Sequence, residues 1–193
     1  KSFPEKGIRF DITYFNHKYE DMIEGQKRTD WLPQNVSGTV RSQGIELFSQ
    51  YKFSNILNFD LNYTYISTYD GADFDDPDMG PDSNGLFTNS QLVRIPRHFI
   101  NLSSKVSPIK DLNITLQTKW SDEMRDYENV NSTVSGDQRL KSFLVNDLTA
   151  DYKLANGYKA FVKIDNIFDE VYNTALEYNQ MDRSFNFGLR KAF

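Results

Sequence analysis

Leu57-Asn58-Phe59-Asp60-Leu61-Asn62-Tyr63-Thr64-Tyr65 alternates without a break, with apolar side chains at the odd positions and amides, a carboxylate and a hydroxyl at the even ones. Successive side chains of a strand point to opposite faces, so this stretch forms a ribbon with one apolar and one wet side; a helical period of about 3.6 would mix the two. The same period recurs along the chain. Leu112, Ile114, Leu116, Thr118 and Trp120 oppose Asn113, Thr115, Gln117 and Lys119, and Tyr158, Ala160, Val162 and Ile164 oppose Lys159, Phe161, Lys163 and Asp165. Phe185, Phe187, Leu189 and Phe193 then oppose Ser184, Asn186, Gly188 and Arg190.

Less regular runs complete the set. Ile8, Phe10, Ile12 and Tyr14 stand against Arg9, Asp11 and Thr13; Ile45, Leu47 and Tyr51 against Glu46, Phe48, Gln50 and Lys52; Ile100, Leu102 and Val106 against Asn101, Ser103 and Lys105. Between residues 140 and 153 the parity breaks, because Phe143 and Val145 disagree with Leu148, Ala150 and Tyr152. A bulge near Asn146 is expected to reconcile them. The total is about eight strands, each longer than the roughly five or six residues usual in globular sheets.

Connections alternate in length. Ser54-Asn55, Ser107-Pro108-Ile109-Lys110-Asp111 and Ala155-Asn156-Gly157 are short, whereas residues 24–38, 69–95, 122–139 and 170–182 form long polar stretches. Short turns at one end and long loops at the other are the pattern of an up-and-down barrel in an outer membrane, with periplasmic turns and extracellular loops. A barrel wall in lipid needs about 9–11 residues per tilted strand, apolar side chains outward, and aromatics at both interfaces. Tyr51, Tyr152, Tyr158 and Phe193 fall near the short-turn ends, and Tyr65, Trp120 and Phe185 nearer the long-loop ends. Closing the ladder pairs the backbone polar groups that lipid cannot solvate. The fold expected is all-β: an antiparallel up-and-down transmembrane β-barrel segment. Two alternatives stay open on these grounds, a self-contained eight-stranded barrel (surface protein or lipid-modifying enzyme) and a soluble β-sandwich binding module whose apolar faces meet between two sheets.

Composition removes other classes. The 193 residues suit one domain, and no run approaches the roughly 18 apolar residues of a spanning helix. The absence of cysteine excludes disulfide scaffolds, thiolate metal sites and a thiol nucleophile. His17 and His98, far apart and without a partner at metal-ligand spacing, read as interfacial or loop-edge residues, so no metal site or cofactor is expected. A net charge of −5 argues against a nucleic-acid binder. No nucleophile elbow or phosphate loop is present, and adjacent Asp169 and Glu170 would point to opposite faces of a strand, so they cannot flank one bond. An enzyme is therefore not expected. The chain begins Lys1-Ser2-Phe3 without a leader pattern, as a mature protein or a piece of a larger one would.

Near the last hairpin, Asn166-Ile167-Phe168-Asp169-Glu170 with Tyr172 resembles the Asn-(Leu/Ile)-Phe-Asp-x-x-Tyr motif of TonB-dependent outer-membrane receptors. Arg183-Ser184-Phe185, Gly188 and a terminal Phe193 follow as in that family, while Gly44-Ile45-Glu46-Leu47 and Pro96-Arg97-His98 resemble its earlier strand entries. The resemblance covers essentially the whole chain. It implies a barrel of about 22 strands closed by an N-terminal plug and driven by the inner-membrane TonB complex, importing ferric siderophores, haem, cobalamin or glycans. Residues 1–193 would supply the C-terminal portion of such a barrel, without the plug and the N-terminal strands. Its partners would be outer-membrane lipid, the rest of the barrel and plug, the TonB complex through the plug, and a small-molecule ligand. The end of the chain also resembles the outer-membrane assembly signal through Asn186, Gly188, Leu189 and Phe193; Lys191 departs from it but can snorkel to headgroups.

On this reading Glu46, Gln50, Asp60, Asn62, Asn113, Gln117 and Asp165 face the lumen and are the candidate ligand-side residues. The loop carrying Asp70, Asp73, Asp75, Asp76, Asp78 and Asp82 has no cation before Arg94. Asp76-Pro77-Asp78-Met79-Gly80 resembles a calcium loop but lacks the later bidentate Glu. A self-repelling, solvated loop that disfavours anions at the mouth is the simpler expectation. The first strand, residues 7–19, and the last, 183–193, should expose edges whose partners lie elsewhere in the larger protein.

Overall fold

The computed structural model describes residues 1–20, 23–24, 34–35, 39–70, 92–126 and 138–191. Eight long strands dominate: β1 (Ile8–Glu20), β2 (Thr39–Lys52), β3 (Leu57–Asp70), β4 (His98–Val106), β5 (Leu112–Ser121), β6 (Phe143–Lys153), β7 (Tyr158–Asp165) and β8 (Ser184–Lys191). They form one antiparallel sheet in chain order, so every long strand pairs with its sequence neighbour. Ser2–Phe3 adds a ninth, short strand against β1 across the 3-10 turn Pro4–Lys6, where Gly7 takes the left-handed φ of 63° that the turn needs. The β1 edge is therefore covered at its first residues, which the sequence did not suggest. Among the described residues β1 and β8 do not pair with each other, so the sheet is open and a self-contained eight-stranded barrel is not what these strands form.

The sheet is one layer thick. Residues directly opposite in an antiparallel pair share a face, and the registers place Ile12, Leu47, Tyr63, Ile100 and Trp120 on one side in successive strands. Beyond β6, Leu148 opposite Ile164 and Ile164 opposite Phe185 continue it. This apolar face is bare: Ile12 is 64% exposed, Val162 49% and Phe187 84%. Buried hydrophobic residues among those described are Val40, Met124, Leu140, Phe143 and Val145, all towards the long-loop end. A β-sandwich would have buried the Ile12 face instead.

The expected bulge near Asn146 is absent. β6 runs against β5 without a register shift from Phe143 opposite Ser121 to Tyr152 opposite Leu112. Phe143 and Val145 therefore stand on the polar face, beside Ser121 and Lys119, because connecting segments fold over that face and bury them. Asn146 in turn lies on the apolar face, where Thr118 Oγ1 donates to its Oδ1 at 2.7 Å. The backbone irregularity occurs across from it, at Asn166, whose φ of 51° ends β7.

Two aromatics of the polar face fill space left by glycine. A Cβ on Gly188 would sit 2.8 Å from the Phe161 ring, and one on Gly44 would meet the Phe15 ring at 2.7 Å and the Tyr65 carbonyl oxygen at 2.0 Å. An aromatic laid across a strand glycine restores the packing that the missing side chain forfeits.

Candidate lumen wall and loop hub

The register gathers the seven lumen candidates on one face. Gln50, Asp60 and Gln117 fall in a single row with Ser103 and Asp147. Within it Gln50 Nε2 donates to Asp60 Oδ1 at 2.9 Å and Gln117 Nε2 to Ser103 Oγ at 3.0 Å. Nearer the long loops, Asn62 lies opposite Phe48 and Asn101, and Glu46 opposite Thr13 and Thr64. Nearer the short turns, Asn113 bridges neighbours: its Oδ1 accepts from Ser107 at 2.8 Å and its Nδ2 donates to Asp151 at 3.1 Å. Asp165 accepts from Ser184 and Asn186, both at 3.2 Å, and pairs with Lys163 at 2.5 Å. These side chains line a wall several strands wide; they do not converge on one point.

The family-motif residues form a latch between the ends of β7 and β8. Asn166 is buried; its Oδ1 accepts the Glu170 amide and its Nδ2 donates to the Glu170 carbonyl, both at 2.9 Å. Asp169 Oδ1 accepts the Arg183 amide at 2.8 Å, and the Arg183 guanidinium donates to the Ile167 carbonyl at 3.3 Å. An amide at the first position can satisfy a donor and an acceptor together, which explains why this turn uses Asn. Phe168, by contrast, is 73% exposed. Gly188 is the glycine under Phe161, and Phe193 lies outside the described residues, as do residues 71–91 with Asp73, Asp75, Asp76, Asp78 and Asp82.

A cluster that the sequence did not reveal joins three long connections. Met124 and Leu140, from a short hairpin between β5 and β6, pack with Phe143 and Val145, and Tyr172 and Leu176 of the β7–β8 connection close over them. The Phe143 and Tyr172 rings lie 4.5 Å apart. Asp126, buried to 2% exposure, receives Arg94 Nε at 2.7 Å and also the Leu176 amide. Arg94 leads into β4, and its own amide donates to the Arg125 carbonyl at 2.7 Å. One carboxylate thus holds the connections before β4, before β6 and before β8. Burial, followed by the nearby Asp147 charge, pushes the Tyr172 phenol above its ordinary value. The only sequence signal for this cluster was the broken parity at Phe143 and Val145.

His98 belongs to an aromatic group on the apolar side: its Nδ1 lies 2.9 Å from the Tyr63 hydroxyl and its ring 5.1 Å from that of Tyr65. His17 lies by Phe15, ring to ring at 5.5 Å.

Comparison with known proteins gives a consistent picture. The ferric-catecholate import receptor Fiu of Escherichia coli K12 superposes with a TM-score of 0.71 at 16% identity, over 98% of this chain and 26% of that one. The ferripyoverdine receptor of the Pseudomonas aeruginosa outer membrane gives 0.68 at 16%, over 96% and 25%. The ferric yersiniabactin uptake receptor FyuA of Yersinia pestis gives 0.63 at 17%, over 94% and 26%. At such identities these likenesses show the fold, and the chain spans about a quarter of each of the three structures. No curated protein sequence matches significantly. A family model described as "TonB dependent receptor-like, beta-barrel" matches residues 1–167, and the chain belongs to that family of receptor barrels.

Proposed function

We propose that the chain is the C-terminal part of the barrel of an outer-membrane receptor that takes up a scarce nutrient, such as a ferric siderophore, haem or cobalamin, with energy relayed by the TonB complex. The observation that carries this reading is the single-layer sheet, bare and apolar on one face and lined by hydrogen-bonded polar groups on the other, with the β8 edge and most of the β1 edge open among the described residues. A bare apolar face of this extent, flanked by aromatics and backed by a polar face, suits lipid, and open edges invite pairing with further strands. The short turns would face the periplasm and the long connections the exterior, with the loop hub at the ligand mouth. Glu46, Gln50, Asp60, Asn62, Asn113, Gln117 and Asp165 would line the lumen beside a plug supplied by the N-terminal part of the polypeptide. The chain would serve transport and catalyse no reaction.

The test is expression of the full gene in a host lacking its own receptors. The product should fractionate with the outer membrane, migrate faster on gels before boiling than after, and restore growth on a chelated nutrient only when the TonB complex is intact. A product that is soluble without detergent, or uptake indifferent to TonB, would overturn the reading.

A further inference from the structure

β7 and β8 are the shortest of the eight long strands, with 8 residues each against 14 in β2 and β3. A strand crossing lipid at a tilt needs about 9–11. At the short-turn end Tyr158 lies opposite Lys191, whose Nζ sits 5.1 Å from the Tyr158 ring centre, an arrangement that suits a headgroup boundary. The outward pairs Ala160–Leu189, Val162–Phe187 and Ile164–Phe185 follow, and the ladder ends one step later at Asp165–Ser184. Between Tyr158 and Ile164 a tilted strand rises roughly 15 Å, short of an apolar band about 25 Å tall. The Asn166 latch stands where the missing height should be. Phe168, Val171 and Met181, set around it, are as bare as Phe185 and Phe187 on the apolar face. Irregular backbone tolerates lipid only when its polar groups are satisfied from within the protein, and the latch comes close to that. The amides of Asn166, Ile167, Asp169, Glu170 and Arg183 all donate to protein acceptors, at 2.8 or 2.9 Å.

We propose that the latch extends the lipid-facing wall, with Phe168, Val171 and Met181 seated in the outer-leaflet acyl chains just beneath the headgroups. The proposal rests on the receptor reading. Continuity favours lipid as the occupant, because these side chains follow on from Ile164 and Phe185 at the end of the β7–β8 ladder. The polar face is already taken: Tyr172 and Leu176 of the same connection pack there on Phe143 and Val145. The charges of the latch fit that depth. Arg183 pairs with Asp169 at 3.7 Å, and a charge that is costly at the bilayer midplane costs little at the interface.

The experiment uses the full-length receptor in liposomes, with single nitroxide labels on cysteines introduced at Phe168, Val171 and Met181. Reference labels are placed at Phe187 on the apolar face, at Asn62 on the polar face and at Asn179 in the β7–β8 connection. Relaxation by oxygen, which concentrates among acyl chains, is compared with relaxation by a water-soluble nickel chelate. The oxygen-to-nickel ratio at the three latch positions should exceed that at Asn179 and Asn62 about fivefold and come within about twofold of that at Phe187. If a labelled variant fails to assemble, as read by heat-modifiable migration, Phe168→Trp should gain quenching by lipid brominated on its acyl chains over the parent receptor. Latch positions favoured by nickel, latch positions shielded from both reagents as by a neighbouring protein segment, or no gain in lipid quenching would overturn the proposal. If Phe187 is oxygen-favoured in that case, the receptor reading survives. If Phe187 is nickel-favoured as well, both fail.

Discussion

Asp126→Asn tests the loop hub most directly. The wild-type carboxylate accepts from the Arg94 guanidinium and from the Leu176 amide while its own side chain is fully enclosed. An amide of the same shape retains one acceptor oxygen and presents N–H groups where the second donor arrives. One charge-assisted bond, worth roughly 1.5–3 kcal/mol, is lost. The stranded donor adds a cost only in part, because the Arg94 side chain is 43% exposed and can turn to water. The net local loss is therefore about 2–3 kcal/mol, or roughly 30- to 150-fold in the opening equilibrium at 1.4 kcal/mol per decade. Hydrogen exchange of the receptor in detergent reads this residue by residue. Protection at Leu176, Met124 and Leu140 should fall by that factor, and protection at Leu61 and Ile114, in the middle of the wall, should not change. Unchanged exchange at Leu176, or an equal loss at Leu61, would refute the picture of one carboxylate joining three connections.

Other perturbations separate the two faces and the two glycines. Leu61→Arg, on the apolar side, should cost about 2–4 kcal/mol of folding into liposomes if it lies near the bilayer midplane, whereas Asn62→Arg, one residue on and facing the other way, should fold within about 0.5 kcal/mol of wild type. Gly44→Ala should destabilise by about 1–3 kcal/mol, because its Cβ would strike the Tyr65 backbone carbonyl as well as the Phe15 ring. Gly188→Ala meets a movable ring alone, so the double variant Gly188→Ala/Phe161→Leu should recover most of its loss in a denaturant titration. The raised Tyr172 phenol predicts hub stability that is full below about pH 10 and declines as pH rises from there through its folded-state value. Tyr172→Phe should abolish that alkaline decline, measured as phenolate absorbance against hub exchange rates.

The wall was legible in the sequence because an apolar surrounding on one side and a polar one on the other impose a period of two on most of the long strands, most cleanly at Leu57–Tyr65 and Leu112–Trp120. The side assigned to Asp60, Gln117 and Asp165 followed from that period alone. Residues 140–153 could not be read in the same way. Phe143 and Val145 are apolar on the polar face because Met124, Tyr172 and Leu176 come to cover them, and no local pattern carries a contact between segments so far apart. Asp126 was invisible for a related reason: an acid in a polar connection looks solvated until Arg94 and Leu176 are brought to it. The Asn166 motif was recognisable by likeness, but its work as a turn latch depends on the Glu170 and Arg183 backbone groups, which have no signature of their own.

On the proposed reading, the knot at Asp126 bears on how the mouth of the receptor would change over generations. Because Arg94, the Met124–Asp126 strand and Leu176 share one fastening, a change that moves any one of these anchor points disturbs the other two. Variation at these anchor points is therefore coupled. On the uptake reading proposed above, a lineage acquiring a new cargo would either alter all three anchor points in concert or confine its innovations to segments outside the fastening, leaving the fastened trio as inherited framework.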